Sequence, residues 1–192
     1  MEQYYIPLED ELIRLEPITL EHIQQMLPLS SDSDVWRWYT EDLTHPEDLK
    51  KWMMKLLDAS RGGSQMTYAV LSKSTNEVVG SSSYGHIDWE EHCIEIGWTW
   101  LAKKYIGTGI NKHMKFLMLQ HAFSTMQIER LELRTDEDNI RSRKAMEKIG
   151  AKYDGTLRSH RATQGGRRRN TVLYSILRGE WPSIRTSIFN EF

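Results

Sequence analysis

Two glycines two residues apart, Gly107 and Gly109, mark the stretch with the clearest chemistry. They follow a strand-like run, Cys93 to Leu101, and precede a helical run from Lys112 to Thr125. A strand that turns through glycine into a helix aims several unpaired N–H groups, and the positive end of the helix dipole, at one spot. That spot suits a phosphate, because glycine permits positive φ and close approach of a ligand to the main chain. A short Gly-x-Gly turn also occurs with nothing bound, so taken alone it leaves two readings open. Just upstream, Glu95 offers a carboxylate, either for proton transfer or as the cross-strand partner of a basic residue. Trp36, Trp38, Tyr39, Trp98 and Trp100 supply rigid apolar surface with a polar edge, suited to the wall of an acceptor pocket or to the core. Near the C-terminal end, Arg158, Arg161, Arg167, Arg168 and Arg169 form either a solvated hairpin tip or a patch for an acidic peptide or RNA phosphate. The seven histidines show no ligand-like pairing, so no metal site is expected.

At 192 residues the chain is long enough to bury a substantial core, and a single domain over residues 1–192 is expected. A formal net charge of −2 and a pI near 6.4 exclude a globally basic nucleic-acid binder, although local patches can still form. Cys93 is the only cysteine, so no intrachain disulfide forms, which fits a reducing compartment. Met1-Glu-Gln-Tyr-Tyr has neither the basic nor the apolar region of a signal peptide, and no apolar run approaches the ~18 residues of a membrane span. A soluble, cytoplasmic protein without a membrane partner is expected. No low-complexity tract or fixed-period repeat is present, which argues against solenoids.

These residues need a scaffold, and the hydrophobic periods supply one. Leu12 to Leu15 reads as a first strand, followed by a short helix through Leu27 with Thr19 as its N-cap. Ser30 to Asp42 reads as a loop or short helix. Thr44 and Glu47 have capping-box spacing, and Leu49, Trp52, Met53, Leu56 and Leu57 then follow a helical stripe that Gly62-Gly63 stops. Period-two runs at about Met66 to Leu71, Glu77 to His86 and Cys93 to Leu101 predict an antiparallel meander. In the last of these, alternation puts Ile94, Ile96, Trp98 and Trp100 on one face and Cys93, Glu95, Gly97, Thr99 and Leu101 on the other. The helix after the glycines buries Ile110, Met114, Leu117, Met118 and Ala122. Arg130 to Thr135 is a strand reached by a helical crossover, hence parallel to the one before it. A helix with Ala145, Met146 and Ile149 on its apolar side ends at Gly150 in the C′ position. Two strands, near Ala151 to His160 and Arg168 to Ile176, close a hairpin through Gln164-Gly-Gly-Arg167. The tail from Arg178 is assigned to packing or to a subunit contact.

This α/β order resembles a known family when two motifs are read with it. One is Trp-Leu-x-x-x-Tyr-x-Gly-Thr-Gly at the fourth strand. The other is Arg-Thr-Asp136-x-x-Asn139-x-x-Ser142-x-x-x-Met146-x-x-x-Gly150-Ala. Together they resemble the GNAT superfamily of acyl-CoA-dependent N-acyltransferases, and within it the RimJ/RimL-like branch that acetylates protein N-termini. The resemblance runs from Leu12 to about Pro182, and the joint spacing is far more specific than either motif alone. It implies a mixed, mostly antiparallel sheet flanked by helices and splayed between the fourth and fifth strands. It also puts the pyrophosphate turn at Ile106, Gly107, Thr108, Gly109, Ile110 and Asn111, the stretch already marked for an anion. The family usually has Arg or Gln where Ile106 stands and Gly or Ala where Asn111 stands. Main-chain N–H groups carry most of the phosphate contact, so Ile106 removes one polar contact and leaves the cradle.

By the same resemblance, the main chain of Trp100 and Leu101 pairs with the pantetheine arm, much as an added strand would. Asn139 fixes that arm from the other side, and Ser142 lies beside the sulfur of coenzyme A. As a residue type, Ser142 is equally an ordinary serine in the first turn of a helix. Many relatives have tyrosine at Met146; a thioether cannot protonate a thiolate, which leaves Ser142 or water. Arg143 and Lys144 either meet the 3′-phosphate or form a solvated helix face. In relatives a glutamate on the central strand often deprotonates the amine, and Glu95 is expected near the point where Leu101 and Ser142 converge. Its reading as a charge partner stays open. His160 and Tyr174 are secondary candidates on the final hairpin.

The expected activity is N-acetyltransfer from acetyl-CoA, the cosubstrate, to a primary amine such as a protein N-terminus, by direct attack on the thioester. A free α-amine with a pKa near 8 needs only a weak base or a water chain. A main-chain N–H near Trp100 is expected to meet the charge developing on the acyl oxygen. A dinucleotide-dependent oxidoreductase wants Gly-x-Gly-x-x-Gly, whereas the sixth position here is Lys112 and antiparallel strands precede the turn. Two alternatives stay open: a non-catalytic module for acyl-CoA or RNA, and an acyltransferase using a larger donor such as succinyl-CoA. Nucleic acid is not an expected partner; the residues leave the oligomeric state open, and a homodimer is one option because relatives are often dimers.

Overall fold

Alternating apolar residues give eight strands that join into one sheet in the computed structural model, which describes residues 2–192. Met1, where the expected domain and the N-terminal stretch begin, lies outside the described residues. The strands are β1 (Leu8–Glu9), β2 (Ile13–Pro17), β3 (Met66–Ser72), β4 (Val78–Asp88), β5 (Cys93–Leu101), β6 (Arg130–Asp136), β7 (Lys152–Ala162) and β8 (Arg168–Leu177). Across the sheet they lie in the order β1-β2-β3-β4-β5-β6-β8-β7. All neighbours are antiparallel except β5 and β6, which are parallel. The sequence reading misses β1, because a two-residue strand is too short to show alternation. The expected first strand is therefore β2, and the expected fourth and fifth are β5 and β6.

The helices are α1 (Leu20–Met26), α2 (Ser33–Trp36), α3 (Pro46–Arg61), α4 (Ile110–Gln120), α5 (Ile140–Lys148) and α6 (Trp181–Ile188). Thr19 caps α1 as expected, with His22 completing a capping box. The box expected at Thr44 and Glu47 does not form. The Thr44 hydroxyl donates to Asp42 at 2.6 Å instead, and α3 starts at Pro46, which needs no N–H partner in the first turn. In the tail, α6 buries Trp181 and Ile184, followed by Phe189, so this segment is part of the core.

Two cores lie on opposite faces of the sheet. One joins strand residues to Met114 and Met118 of α4, Met146 of α5 and Trp181 of α6. The other joins Ile23 of α1 and Trp52 and Leu56 of α3 to Trp36 and Trp100. Strand β5 contributes to both, and this corrects the simple alternation expected for it. Pairing with β4 steps from Ser83 with Gly97 to Ser81 with Trp100, so β5 carries one extra residue, a bulge. Trp98 absorbs it with φ of +51°, and its ring occupies the space that a Cβ at Gly85 would need. Beyond the bulge the faces exchange: Leu101 joins Ile94 and Ile96 in the α4 core, while Trp98 and Trp100 pack on the α1 to α3 side.

Candidate active site

Strands β5 and β6 pair through only three positions, Cys93 with Arg130, Ile94 with Leu131 and Glu95 with Glu132. Past Glu95 they part, while β5 stays paired to β4 as far as Leu101. The parting leaves an edge of β5 without a neighbouring strand, and such an edge offers N–H and C=O groups to an extended ligand. A cleft of about 930 Å³ runs through the opening. Glu95, Trp100, Leu101, Gly109, Asn139 and Ser142 all border it.

The glycine turn closes one end of the cleft. Gly107 and Gly109 have φ of +82° and +94°, a region that costs other residues strain. The N–H groups of Gly107, Gly109, Ile110 and Asn111 have no hydrogen-bond partner among the described residues. Four free donors thus converge where α4 begins, the arrangement that accepts an anion. Ile106, exposed at 40 %, and Asn111 border the cleft. Thr108 turns its hydroxyl back to the Tyr105 carbonyl at 2.8 Å, and Ile110 buries its side chain in the core. Those two can offer only main chain to a ligand.

On the opposite wall, Asn139 is the N-cap of α5, its Oδ1 accepting from the Ser142 N–H at 3.1 Å. The cap fixes the helix phase, so Ser142, Ala145 and Met146 face the cleft. The Asn139 Nδ2 group and the Ser142 hydroxyl have no hydrogen-bond partner among the described residues. Arg143 departs from expectation. Its guanidinium donates to Tyr174 Oη at 3.3 Å and to the Glu137 carbonyl at 3.2 Å, off the cleft, whereas Arg141, Lys144 and Lys148 border it. Tyr174 is likewise held away, buried and donating to Glu147 at 2.9 Å.

Glu95 is 7 % exposed, on the face of the sheet opposite Ile94 and Ile96. Its Oε2 lies 2.7 Å from His86 Nδ1 and 3.2 Å from Arg134 Nε. The Arg134 contact is an ion pair without hydrogen-bond geometry, since that Nε has no hydrogen-bond partner. The other carboxylate oxygen lies over Gly97, where a Cβ would come within 2.8 Å of it. Both readings of Glu95 thus have a physical basis: it is a charge partner, and it borders the cleft.

The family model of the acetyltransferase (GNAT) domain matches residues 13–152. The chain belongs to the GNAT acetyltransferase family. An uncharacterized N-acetyltransferase, p20, of Bacillus licheniformis is 23 % identical over 175 residues, covering 91 % of this chain and 97 % of that protein. Among solved structures, a T. thermophilus protein described as a candidate acetyltransferase is 31 % identical, with a TM-score of 0.86 over 97 % of this chain and 96 % of that one. Mycobacterium smegmatis RimJ in complex with CoA-disulfide shares the fold at 21 % identity, with a TM-score of 0.75 over 92 % and 88 % of the two chains. GNAT acetyltransferases use acetyl-CoA, and the free donors of the glycine turn with the unpaired edge of β5 fit such a cosubstrate. No helix among the described residues is long and apolar enough to cross a membrane.

Of the five aromatic residues expected to wall an acceptor pocket, Trp38, Tyr39, Trp98 and Trp100 border this acetyltransferase's cleft, and Trp52 joins them. Trp36 does not: it is fully buried, packed against Tyr39, Trp52 and Trp100. His160 borders the cleft and meets Thr171 Oγ1 at 2.9 Å. Sequence reasoning passed over Lys115, His86 and Arg134. Lys115 carried a signal, because it shares a helix row with Leu119 and Ala122, both buried. Its Nζ donates to Thr99 Oγ1 at 3.2 Å from 7 % exposure.

Burial pushes the Lys115 ammonium down to about 7, against an opposing pull from Glu95. Unfolding returns it to the ordinary value of 10.5. Between these values the unfolded chain holds a proton that the folded chain lacks, so stability rises with pH across that window. Below about 7 both states are charged and the folded state bears the full cost of burial. Lys115→Met should therefore stabilise the fold most at acid pH, by a few kcal/mol at most, and flatten its pH dependence above neutrality. Urea midpoints of both proteins at about pH 6.5 and about pH 9 measure this; equal slopes would contradict the buried ammonium.

Proposed function

We propose that this acetyltransferase moves the acetyl group of acetyl-CoA directly onto a primary amine, in the RimJ/RimL-like manner that includes protein α-amines as acceptors. One observation carries the reading: the parting of β5 from β6 opens, within one cleft, onto both the free donors of the glycine turn and the Glu95 carboxylate.

The roles follow from position. The N–H groups of Gly107, Gly109, Ile110 and Asn111 hold the diphosphate, and Ile106 and Thr108 shape the turn. The main chain of Trp100 and Leu101 pairs with the pantetheine amides, and Asn139 donates to them through Nδ2. Bound acetyl-CoA supplies an activated acyl carbon. Glu95 takes the proton that the amine nitrogen loses as it bonds to that carbon, and the Ser142 hydroxyl donates a hydrogen bond to sulfur as the C–S bond breaks, the released thiolate taking its proton from solvent. A β5 N–H near Trp100 meets the negative charge gathering on the acyl oxygen. Trp38, Tyr39 and Trp98 wall the acceptor side.

Ser142→Ala tests this hydrogen bond. A hydrogen bond to sulfur strengthens only as charge develops there, so turnover should fall on the order of 10-fold to 100-fold, ~1.4 to 2.7 kcal/mol, with little change in acetyl-CoA affinity. Steady-state kinetics beside calorimetric binding separates the two. Turnover within a factor of about two of the parent would hand the stabilisation of the thiolate to water.

A further inference from the structure

We propose that the acceptor is a small amine that also carries an anionic oxygen group, a carboxylate or a phosphate, and that Arg161 and Arg169 hold this group while the amine faces Glu95. The inference rests on the acetyltransferase reading above. It starts from a pairing that has no structural benefit.

Arg161 of β7 and Arg169 of β8 stand directly opposite each other, and both border the cleft. Like charges facing across two strands destabilise a sheet. Arginines of the adjoining β6 and of the hairpin turn have carboxylate partners, Arg134 with Glu95 and Glu132, Arg130 with Glu132 and Asp154, and Arg167 with Asp136 and Asp138, while Arg168 of β8 donates to Ser159. Among the described residues, Arg161 and Arg169 form no ion pair. Arg169 is only half-exposed, and its one hydrogen bond runs from Nε to Thr171 Oγ1 at 2.9 Å, which leaves its terminal nitrogens free.

The surroundings report the same excess of positive charge. Arg169 is held below its ordinary value, first by burial and then by Arg161 and Arg167, with Asp136 and Glu95 opposing. His160 is also lowered, by burial and then by Arg161, Arg169, Arg134 and Arg168. Asp136 is paired with Arg167 and forms no ion pair with Arg161 or Arg169, so it offsets the charge of the opposed pair only in part. An anionic oxygen group between two guanidinium forks would do so through charge-assisted, bidentate hydrogen bonds.

The position of the pair sets the kind of molecule. Residues 132, 134 and 136 of β6 share a face with Glu95, and register carries that face to residues 173 and 171 of β8 and on to Arg169. Glu95 and Arg169 lie near enough to act on each other electrostatically. A negative group for the amine and a positive pair for an anion thus lie a short way apart on one wall, which matches a compact zwitterion. A polyamine or a basic peptide would add charge of the wrong sign.

Rates with acetyl-CoA are to be compared for ethanolamine, phosphoethanolamine, glycinamide, glycine and 1,4-diaminobutane. We expect kcat/KM at least ~10-fold higher for phosphoethanolamine than ethanolamine, or for glycine than glycinamide, according to whether phosphate or carboxylate is the anion. R169Q and the more exposed R161Q should each shrink that ratio, and the R161E/R169E double variant should shift preference toward diaminobutane. Calorimetry of phosphoethanolamine and glycine with the CoA-bound protein gives a readout apart from activity. Peptides beginning with acidic or basic residues are run beside them, and acidic peptides acetylated faster than the small zwitterions would place the anion on a protein N-terminus and overturn the small-amine acceptor. Neutral amines used as well as anionic ones, or ratios unmoved in all three variants, would overturn the inference and leave the acetyltransferase standing. Acetylation of none of the amines or peptides, with acetyl-CoA still bound, would overturn both.

Discussion

Glu95→Gln is expected to lower turnover on the order of 100-fold at neutral pH while acetyl-CoA still binds, because the amide keeps the size of the carboxylate and cannot take a proton. Rate should recover toward high pH, where the amine arrives already neutral. The purely structural reading of Glu95 predicts something else. Its Oε2 meets both His86 and Arg134 from a buried position, so the substitution weakens a real charge contact and lowers the melting temperature under either reading. Arg134 retains Glu132 at 2.8 Å, which limits that loss. Melting alone therefore decides nothing. The pH profile does: a variant whose rate follows the parent at every pH from about 6 to about 9.5 would remove Glu95 from proton transfer.

Gly109→Val should raise the Michaelis constant for acetyl-CoA at least ~10-fold. A Cβ at Gly109 would meet nothing within 4 Å, so no packing clash opposes the change. Two other effects do. A β-branched residue resists φ of +94°, and its methyl groups would fill the space in front of the free N–H groups. Gly165→Val separates them, since Gly165 has φ of +77°, equally open surroundings and no place on the cleft wall. The control should share the loss of stability and keep the Michaelis constant. Calorimetric affinity for acetyl-CoA unchanged in a folded Gly109→Val protein would take the glycine turn out of the cosubstrate site.

Much of this arrangement is legible in the chain because its signals are local. Glycine at 107 and 109 announces positive φ, and a helical crossover announces the parallel pair, whereas the cap that Asn139 places on α5 emerges only in the structure. The bulge in β5 has no such mark. Its positive φ falls on Trp98, a residue type that carries no turn signal, and the reversal of faces beyond it is enforced by pairing to β4. Arg143 and Lys144 are alike in sequence, and only the phase set by the Asn139 cap sends one to Tyr174 and the other to the cleft. Trp36 and Trp38 differ in the same way, through the packing of a short helix. Lys115 was readable in principle, since a lysine in a buried helix row conflicts with the cost of burying charge. The opposed arginines could not be read, because register between β7 and β8 shifts after Leu157 and only the folded hairpin fixes which residues face each other.

The central claim is that the amine attacks the acetyl group inside this cleft, and one measurement tests it most directly. Free thiol and acetylated amine are to be followed together, thiol by a colorimetric reagent and product by mass spectrometry, across an amine and peptide panel with acetyl-CoA and succinyl-CoA. The account predicts equal amounts of thiol and N-acetyl product, dependent on the amine and greater with acetyl-CoA. Acetyl-CoA bound tightly with neither thiol nor product formed from any amine would contradict it and leave a binding module in its place.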